Sequence, residues 1–249
     1  MFYRIKEYIH PIIFIICNTV DQAVALFIVK DQKYLSDHII NYYSQWESRS
    51  LNKDIELKIL EARKDPLWIN SGAMSAQEYQ QWSKNICAIA CLKMVADNLG
   101  LISREMKSVD FAKKATKYGV YNNEENREEI KGIFWRPFQE LLIREYGIKS
   151  YFTEHLTIKK ISDSLCNNKI VFLSVSPFFH HRLNKAKLTK RIGHVILVHG
   201  FISKNGIIKG FFVKDPGGWA ENNSQECFVD TKILLSSYSG RAFIIYPKK

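Results

Sequence analysis

The sequence has little of what marks secreted, membrane-spanning or disulfide-rich proteins. Its 249 residues include five cysteines, an odd number without the spacing of a disulfide framework, so we expect reduced thiols. The apolar stretch Pro11–Cys17 is too short to span a bilayer, and no small-residue cleavage site follows it. These absences predict a cytoplasmic protein with no stable membrane anchor.

Internal repeats, low-complexity segments and linkers rich in proline, glycine or serine are also absent from the sequence. Hydrophobic residues make up 46% of the chain, enough to bury a full core. We expect an N-terminal helical extension over residues 1–75, packed on a main domain over residues 76–249, because no flexible linker separates the two. Tyr34–Trp46 has helical spacing within this extension.

The hydrophobic periodicity of the main domain changes between helical and strand patterns along the chain. This mixture predicts an α+β fold with helices packed on an antiparallel sheet. We expect helices over residues 85–98, 108–118, 137–146 and 157–167, and strands over residues 170–176, 194–201, 207–214 and 241–246.

A candidate nucleophile, Cys87, begins the first of these helices, where Ser83 or Asn85 can act as the cap. A thiol in the first turn lies near unpaired backbone amides and the positive end of the helix dipole, and both favour the thiolate. The amide of Cys87 and the side chain of Gln81, six residues upstream, can donate two hydrogen bonds to an oxyanion. We therefore predict a catalytic thiol with two oxyanion donors.

A candidate base and its partner come from one predicted hairpin. His194 begins a strand rich in valine and isoleucine, Ser203–Gly206 has turn chemistry, and the return strand ends at Asp215. Antiparallel pairing brings His194 and Asp215 to the same end of the hairpin. His194 can then activate the thiol while Asp215 orients the imidazole ring.

This pattern resembles the bacteriocin-processing, or double-glycine leader, cysteine peptidases and their stand-alone relatives in the papain-like clan. Their pattern is a Gln, a Cys-Gly-x-Ala-x-Leu-x-Met helix, a Gly-His before an apolar strand, and an Asp-Pro. Over roughly residues 78–247, the match is carried by Gln81, Cys87, Ala90, Leu92, Met94, Gly193, His194, Asp215 and Pro216. The resemblance implies a papain-like fold. Ala88 stands where the family usually has glycine, which narrows the space beside the nucleophile.

Other interpretations of the cysteines are open. A lone cysteine on an apolar helix is more often a core residue, and we expect that role for Cys17, Cys91, Cys166 and Cys227. Cys17, ahead of another apolar segment, is a rival nucleophile similar to that of certain antibiotic-pathway acyltransferases. No Gln precedes Cys17 at a matching distance, so Cys87 is preferred.

Histidines outside the predicted triad are given structural roles. His199 is five residues beyond His194 on the same strand, so we expect it on the opposite face as a satisfied core or surface imidazole. Cys87, Cys91, His180 and His181 do not have the spacing of a standard structural zinc site. We predict no metal site and no cofactor.

The positive charge is concentrated before His194. The formal net charge is +11, and one loop contributes Arg182, Lys185, Lys187, Lys190 and Arg191 to it. Such a run is often only a solvated loop. The functional hypothesis is a basic collar at the mouth of the site that binds an acidic acyl or peptidyl carrier protein. Few aromatic residues are interleaved with these charges, so we do not expect nucleic acid as a partner.

Three functions from different classes are compatible with these residues. In the first, an amine releases the acyl group from Cys87, which makes the protein an amide-forming acyltransferase in a peptide or natural-product pathway with a carrier-bound thioester donor. In the second, water releases it, as in a cysteine peptidase that cleaves a leader or other peptide. In the third, the fold only binds a partner. Ala88, the basic loop and the absence of an exporter domain and a secretion signal favour the first.

Overall fold

The computed structural model describes residues 14–21, 30–36, 41–121, 130, 132–176, 193–218 and 227–247. Within these ranges, seven strands form one antiparallel sheet. They are β1 (Gln32–Leu35), β2 (Lys149–Thr153), β3 (Ile170–Val175), β4 (His194–Lys204), β5 (Ile207–Lys214), β6 (Cys227–Asp230) and β7 (Tyr238–Tyr246).

The long strand β4 organises this sheet. The strand order is β2-β7-β3-β4-β5-β6, and β1 pairs with the second half of β4. The hairpin between β4 and β5 turns through Asn205 and Gly206, both with positive φ, as the tight turns of β-hairpins require. The pairing places Leu197 opposite Lys214, so the start of β4 and the end of β5 lie next to each other at one end of the hairpin.

Helices cover both faces of the sheet. Residues 14–21 are helical and form α1. The following helices are α2 (Asn52–Glu56), α3 (Ala76–Ser83), α4 (Cys87–Asn98), α5 (Ser108–Thr116), α6 (Trp135–Tyr146), α7 (Ile158–Cys166) and α8 (Thr231–Ser237). In the part of the chain that the structure describes, no helix has the length and hydrophobicity needed to cross a membrane.

Alternating side chains of β4 divide the core into two layers. Val195 and Leu197 pack with residues of α3, α4, α5 and α6 on one face. Ile196 and Val198 pack on the other face with residues of α7 and α8, and Phe14 of α1 joins that layer. Because successive residues of a strand face opposite sides, one strand can serve both layers. The α+β fold with helices on an antiparallel sheet is confirmed.

The largest difference from the sequence predictions lies in the first 75 residues. The helix expected over Tyr34–Trp46 is wrong, because Gln32–Leu35 is strand β1 and residues 41–48 are neither helix nor strand. Pairing with β4 determines the conformation of β1, and helical spacing alone does not detect such a distant partner. The domain boundary between residues 75 and 76 stays a prediction, although β1 belongs to the same sheet as the later strands.

Candidate active site

Helix α4 holds the candidate nucleophile at its first residue. Cys87 is 7% exposed, and every following residue of α4 up to Ala96 is buried. The N-cap is Ile86, which makes no side-chain cap hydrogen bond. The expected caps are therefore wrong: the side chain of Asn85 donates instead to the backbone oxygen of Gln81 at 3.0 Å.

A buried tyrosine supports the turn that precedes Cys87. The hydroxyl of Tyr121 lies 3.3 Å from the backbone oxygen of Asn85, and its ring packs edge-on against Trp82 at 5.5 Å. Burial raises the pKa of Tyr121 well above its ordinary value, and the charges of Cys87 and Cys91 act in the same direction. Tyr121 is therefore a neutral phenol near the nucleophile. Its place depends on packing, and the local sequence gives no signal for it.

The hairpin brings His194 and Asp215 together as predicted from the sequence. Atom Nε2 of His194 lies 2.5 Å from Oδ1 of Asp215, and the two residues are 8% and 1% exposed. The amide of Gly217 donates a second hydrogen bond to the same Oδ1 at 2.9 Å. This contact fixes the carboxylate against the ring and leaves Nδ1 as the ring nitrogen for the thiol.

The protonation of His194 follows from these neighbours. Burial lowers the pKa of His194, but the charge and hydrogen bond of Asp215 raise it, and so do the hydrogen bond and charge of Cys87. The outcome is a pKa well above the ordinary value for histidine. An imidazole that bonds to a carboxylate and contacts a cysteine is the arrangement in which a thiol can be activated for nucleophilic attack.

The turn after Asp215 is shaped by glycine. A Cβ atom at Gly217 would lie 3.3 Å from Oδ1 of Asp215 and 3.4 Å from Cε1 of His194. The distance to Oδ1 is shorter than an ordinary van der Waals contact. A larger side chain at this position would press on the pair. This role is not among the predictions above, although the Gly217-Gly218 pair directly after Asp215-Pro216 is a sequence signal of a close approach.

The other predicted site residues stay predictions. Gln81 is exposed on α3, so its place as an oxyanion donor stays a prediction. Ala88 is fully buried beside the nucleophile. The basic collar lies outside the described residues, and so do the two histidines considered for zinc. These are Arg182, Lys185, Lys187, Lys190 and Arg191, and His180 and His181.

The remaining cysteines lie in different surroundings. Cys17 lies on α1, whose Phe14 packs in the layer on the opposite face of the sheet from α4. Cys91 is fully buried, with its sulfur 3.5 Å from the backbone oxygen of Val195, and burial raises its pKa well above the ordinary value. Cys166 is exposed, so the prediction that it is a core residue is wrong. Cys17 and Cys227 are half-buried, and Cys227 packs against the edge of the second core layer.

His199 is a core residue, but its ring is not satisfied as expected. It is 7% exposed, and its Nε2 atom has no hydrogen-bond partner among the described residues. Burial lowers the pKa of His199 to about 4, and the positive charge of Lys214 contributes in the same direction. The ring is therefore neutral at physiological pH.

The sequence model of one protein family matches this chain over residues 75–239, and that family is described as Peptidase C39 like. The chain belongs to the C39-like peptidase family. The matched region contains Cys87, His194 and Asp215 and begins after β1 and α2. As a C39-like family member, the protein is an enzyme of the cysteine-peptidase type.

The comparison with solved structures agrees with the fold of this C39-like protein. A crystal structure of a candidate C39-like peptidase from Bacillus anthracis is similar to it with a TM-score of 0.50 and 12% sequence identity. The similarity covers 88% of this chain and 100% of that chain. At this identity the likeness shows the papain-like fold alone. A search among curated proteins finds no match.

Proposed function

We propose that the protein is a cysteine peptidase in which Cys87 is the nucleophile, His194 the general acid and base, and Asp215 the group that orients the imidazole. The observation that supports this proposal is the 2.5 Å contact between His194 and Asp215, with Cys87 hydrogen-bonded to the same ring. Family membership supports the same reaction class. The residue roles are our assignment.

The reaction proceeds in two acyl-transfer steps. The Cys87 thiolate attacks the peptide carbonyl carbon, and the resulting oxyanion collapses as the C–N bond breaks. The imidazolium of His194 gives its proton to the leaving amine. His194 then takes a proton from water, the hydroxide attacks the thioester, and the carboxylic acid product leaves with the thiolate restored.

The direct test is the covalent intermediate. Incubation of the protein with a peptide mixture, followed by intact-mass measurement, is expected to trap an acyl group on Cys87 and to release shorter peptides. Cys87→Ala abolishes both, while Cys17→Ala leaves both unchanged because Cys17 lies on the other side of the sheet. Acylation of Cys87→Ala, or loss of cleavage in Cys17→Ala, would contradict the assignment.

The oxyanion donors are proposed to be the amide of Cys87 and the side chain of Gln81. In the free protein Gln81 is exposed, and its side chain must turn onto the bound substrate to act. We expect Gln81→Ala to lower kcat about 100-fold without loss of stability, because the oxyanion forms only during the reaction. Gln80→Ala is the matched control, since Gln80 accepts a hydrogen bond from the Arg63 amide at 3.3 Å. Equal rates in the two variants would remove Gln81 from the site.

A second candidate function is amide formation, in which an amine in place of water resolves the thioester. The observation that favours it is the low exposure of Cys87 and His194 together with the fully buried Ala88, because a closed site limits the access of water. The ratio of amide product to free acid over a range of amine concentrations distinguishes the two. Free acid at every amine concentration would leave the peptidase alone.

The basic collar is proposed as the binding site of an acidic acyl or peptidyl carrier in the transferase alternative. Attraction between exposed charges weakens over a Debye length of about 8 Å at physiological ionic strength. Reversing Lys185, Lys187 and Lys190 to Glu is therefore expected to slow acylation by a carrier-bound thioester, and added salt has the same effect. Acylation by a small free thioester is the control, since it does not need the collar.

A further inference from the structure

The backbone of the turn that follows Asp215 is hydrogen-bonded to a segment upstream of the matched family region. Residues 42–48, which we call the brace, run along the turn that follows Asp215. The hydroxyl of Tyr42 donates to the backbone oxygen of Asp215 at 2.8 Å. The amide of Gln45 donates to the backbone oxygen of Pro216 at 2.9 Å. Two successive carbonyls of the turn are thus held by one segment.

Further contacts tie the brace to the same turn. The hydroxyl of Ser44 lies 3.1 Å from the oxygen of Pro216 and 3.1 Å from Oδ1 of Asn52, so its proton can serve either acceptor. A Cβ atom at Gly218 would lie 1.9 Å from Nδ2 of Asn52 and 3.0 Å from the hydroxyl of Tyr42. Only glycine permits such an approach, and its φ of +66° also favours glycine.

The brace is itself anchored at its far end by a buried carboxylate. Asp65 is fully buried and accepts hydrogen bonds from the amide and hydroxyl of Ser48 and from the hydroxyl of Tyr79 on α3. Burial raises the pKa of Asp65, but these hydrogen bonds outweigh it, so the pKa is lowered and Asp65 stays ionised. The same Tyr79 hydroxyl accepts from the amide of Glu47 at 2.9 Å. The brace is therefore a fixed support.

From these contacts we infer that the brace positions the Asp215 carboxylate for catalysis, with Tyr42 as the positioning residue. This inference rests on the proposed function, in which Asp215 orients His194. Residues 42–48 precede the family match at residue 75, so the site is incomplete without a segment outside the matched region. Tyr42 acts through its hydrogen bond to the backbone oxygen of Asp215.

The test is Tyr42→Phe, which removes the hydroxyl and keeps the ring over which the Arg49 guanidinium lies, 5.2 Å from the centroid. We expect the midpoint of the His194 titration, followed by NMR, to shift to lower pH. A less well positioned Asp215 carboxylate stabilises the imidazolium less. Alkylation of Cys87 by iodoacetamide at neutral pH is expected to slow about five-fold, the effect of losing one hydrogen bond.

The matched control is Tyr238→Phe. The hydroxyl of Tyr238 also donates to a buried backbone oxygen, that of Leu156, at 2.9 Å, and this bond belongs to the opposite layer. Similar losses of thermal stability in the two variants, with a change in His194 titration only in Tyr42→Phe, support the inference. An unchanged His194 midpoint in Tyr42→Phe would overturn it.

Two further measurements keep the outcomes separate. Ser44→Ala is expected to shift the His194 midpoint in the same direction by a smaller amount, and it provides the test if Tyr42→Phe does not fold. His194→Ala, measured beside them, tests the proposed function: alkylation of Cys87 that does not depend on His194 would refute the triad. The imidazole titration would still report whether the brace positions Asp215.

Discussion

His194 and His199 lie five residues apart on β4, and they are equally hidden from solvent, at 8% and 7% exposure. Their pKa values nevertheless shift in opposite directions. The pKa of His194 is raised well above the ordinary value, whereas that of His199 is lowered to about 4. In both cases burial is the largest cause and acts to lower the pKa. The difference must come from the charged neighbours.

Those neighbours are consecutive residues at the end of β5. The negative charge of Asp215 acts on His194, and the positive charge of Lys214 acts on His199. For His194 the charge and hydrogen bond of Asp215, together with those of Cys87, outweigh burial, while for His199 the ammonium of Lys214 adds to it. The same hairpin therefore builds one charged and one neutral imidazole, and a buried histidine alone does not indicate a catalytic site.

The largest expected effect separates the two histidines by function. His194→Ala is expected to lower kcat/KM on a cleaved peptide about 1,000-fold to 10,000-fold, because residues that act as a unit lose most of their effect together. His199→Leu is expected to stay within about two-fold of the wild type, since a neutral core ring takes no part in acyl transfer. Both rates are measured well below the unfolding temperature. Comparable losses of kcat/KM in the two variants would contradict the different roles of the two histidines.

The second prediction concerns a substitution that shifts the pKa of His194 towards that of His199. Asp215→Asn removes the negative charge and keeps an oxygen acceptor beside Nε2, so the pKa of His194 is expected to fall. The rate of Cys87 alkylation should fall about ten-fold to 100-fold, less than in His194→Ala, because the ring is still oriented. NMR titration of the imidazole and alkylation kinetics check both parts. A His194 pKa that did not move would show that Asp215 is not the cause of the shift.

The third prediction concerns the dependence of stability on pH. The folded-state pKa of His199 is about 4, below the ordinary 6.5, so folding favours the neutral ring. The contribution of His199 to the free energy of unfolding is fully present above pH 6.5. It falls by up to about 3 kcal/mol as the pH drops towards 4. His194 has a raised pKa, so its contribution is present below pH 6.5 and is lost as the pH rises through the folded value.

Denaturant unfolding of the wild type and two variants across pH tests these signs. His199→Leu is expected to lose less free energy of unfolding than the wild type between pH 6.5 and 4. His194→Ala is expected to lose less than the wild type above pH 6.5. Parallel pH profiles in all three proteins would contradict the opposite shifts.

The smallest expected effect tests the role of Lys214. Because burial is the larger cause of the lowered pKa of His199, Lys214→Met is expected to raise that pKa only slightly. The titration of His194 should change still less, since Asp215 is intact. Two-dimensional NMR of both imidazoles in one sample measures the pair together. A large rise at His199 would show that charge, and not burial, keeps this ring neutral.

The parts of the site that could be predicted from the sequence depend on local signals. Cys87 stands at a helix start, His194 at a strand start, and Asp215 before a proline and two glycines, so the hairpin length alone predicts the pairing of His194 with Asp215. The cap residue was not predicted correctly, because the Asn85 side chain bonds to Gln81 within the preceding turn. An asparagine that caps the following helix and one that bonds to a backbone oxygen of the preceding turn look the same in the sequence.

The parts that could not be predicted depend on distant contacts. The hydroxyl of Tyr42 reaches Asp215 across 173 residues, and nothing in the sequence around Tyr42 indicates a role beside a carboxylate. Strand β1 likewise has weak strand character, with largely exposed residues, and pairing with β4 determines its conformation. Packing of this kind is visible only in three dimensions, so the sequence alone predicts a helix where β1 forms.

The pairing of β1 with β4 also bears on how the chain folds during synthesis. Gln32 pairs with Ser203 and Leu35 with Gly200, so β1 leaves the ribosome long before its partner strand exists. A Cβ atom at Gly200 would lie 2.5 Å from the backbone oxygen of Tyr34, so the two strands meet closely where they finally pair. Such distant pairing slows folding, because a long loop must close first. The nascent protein must keep an unpaired strand from aggregation until most of its sequence has been translated.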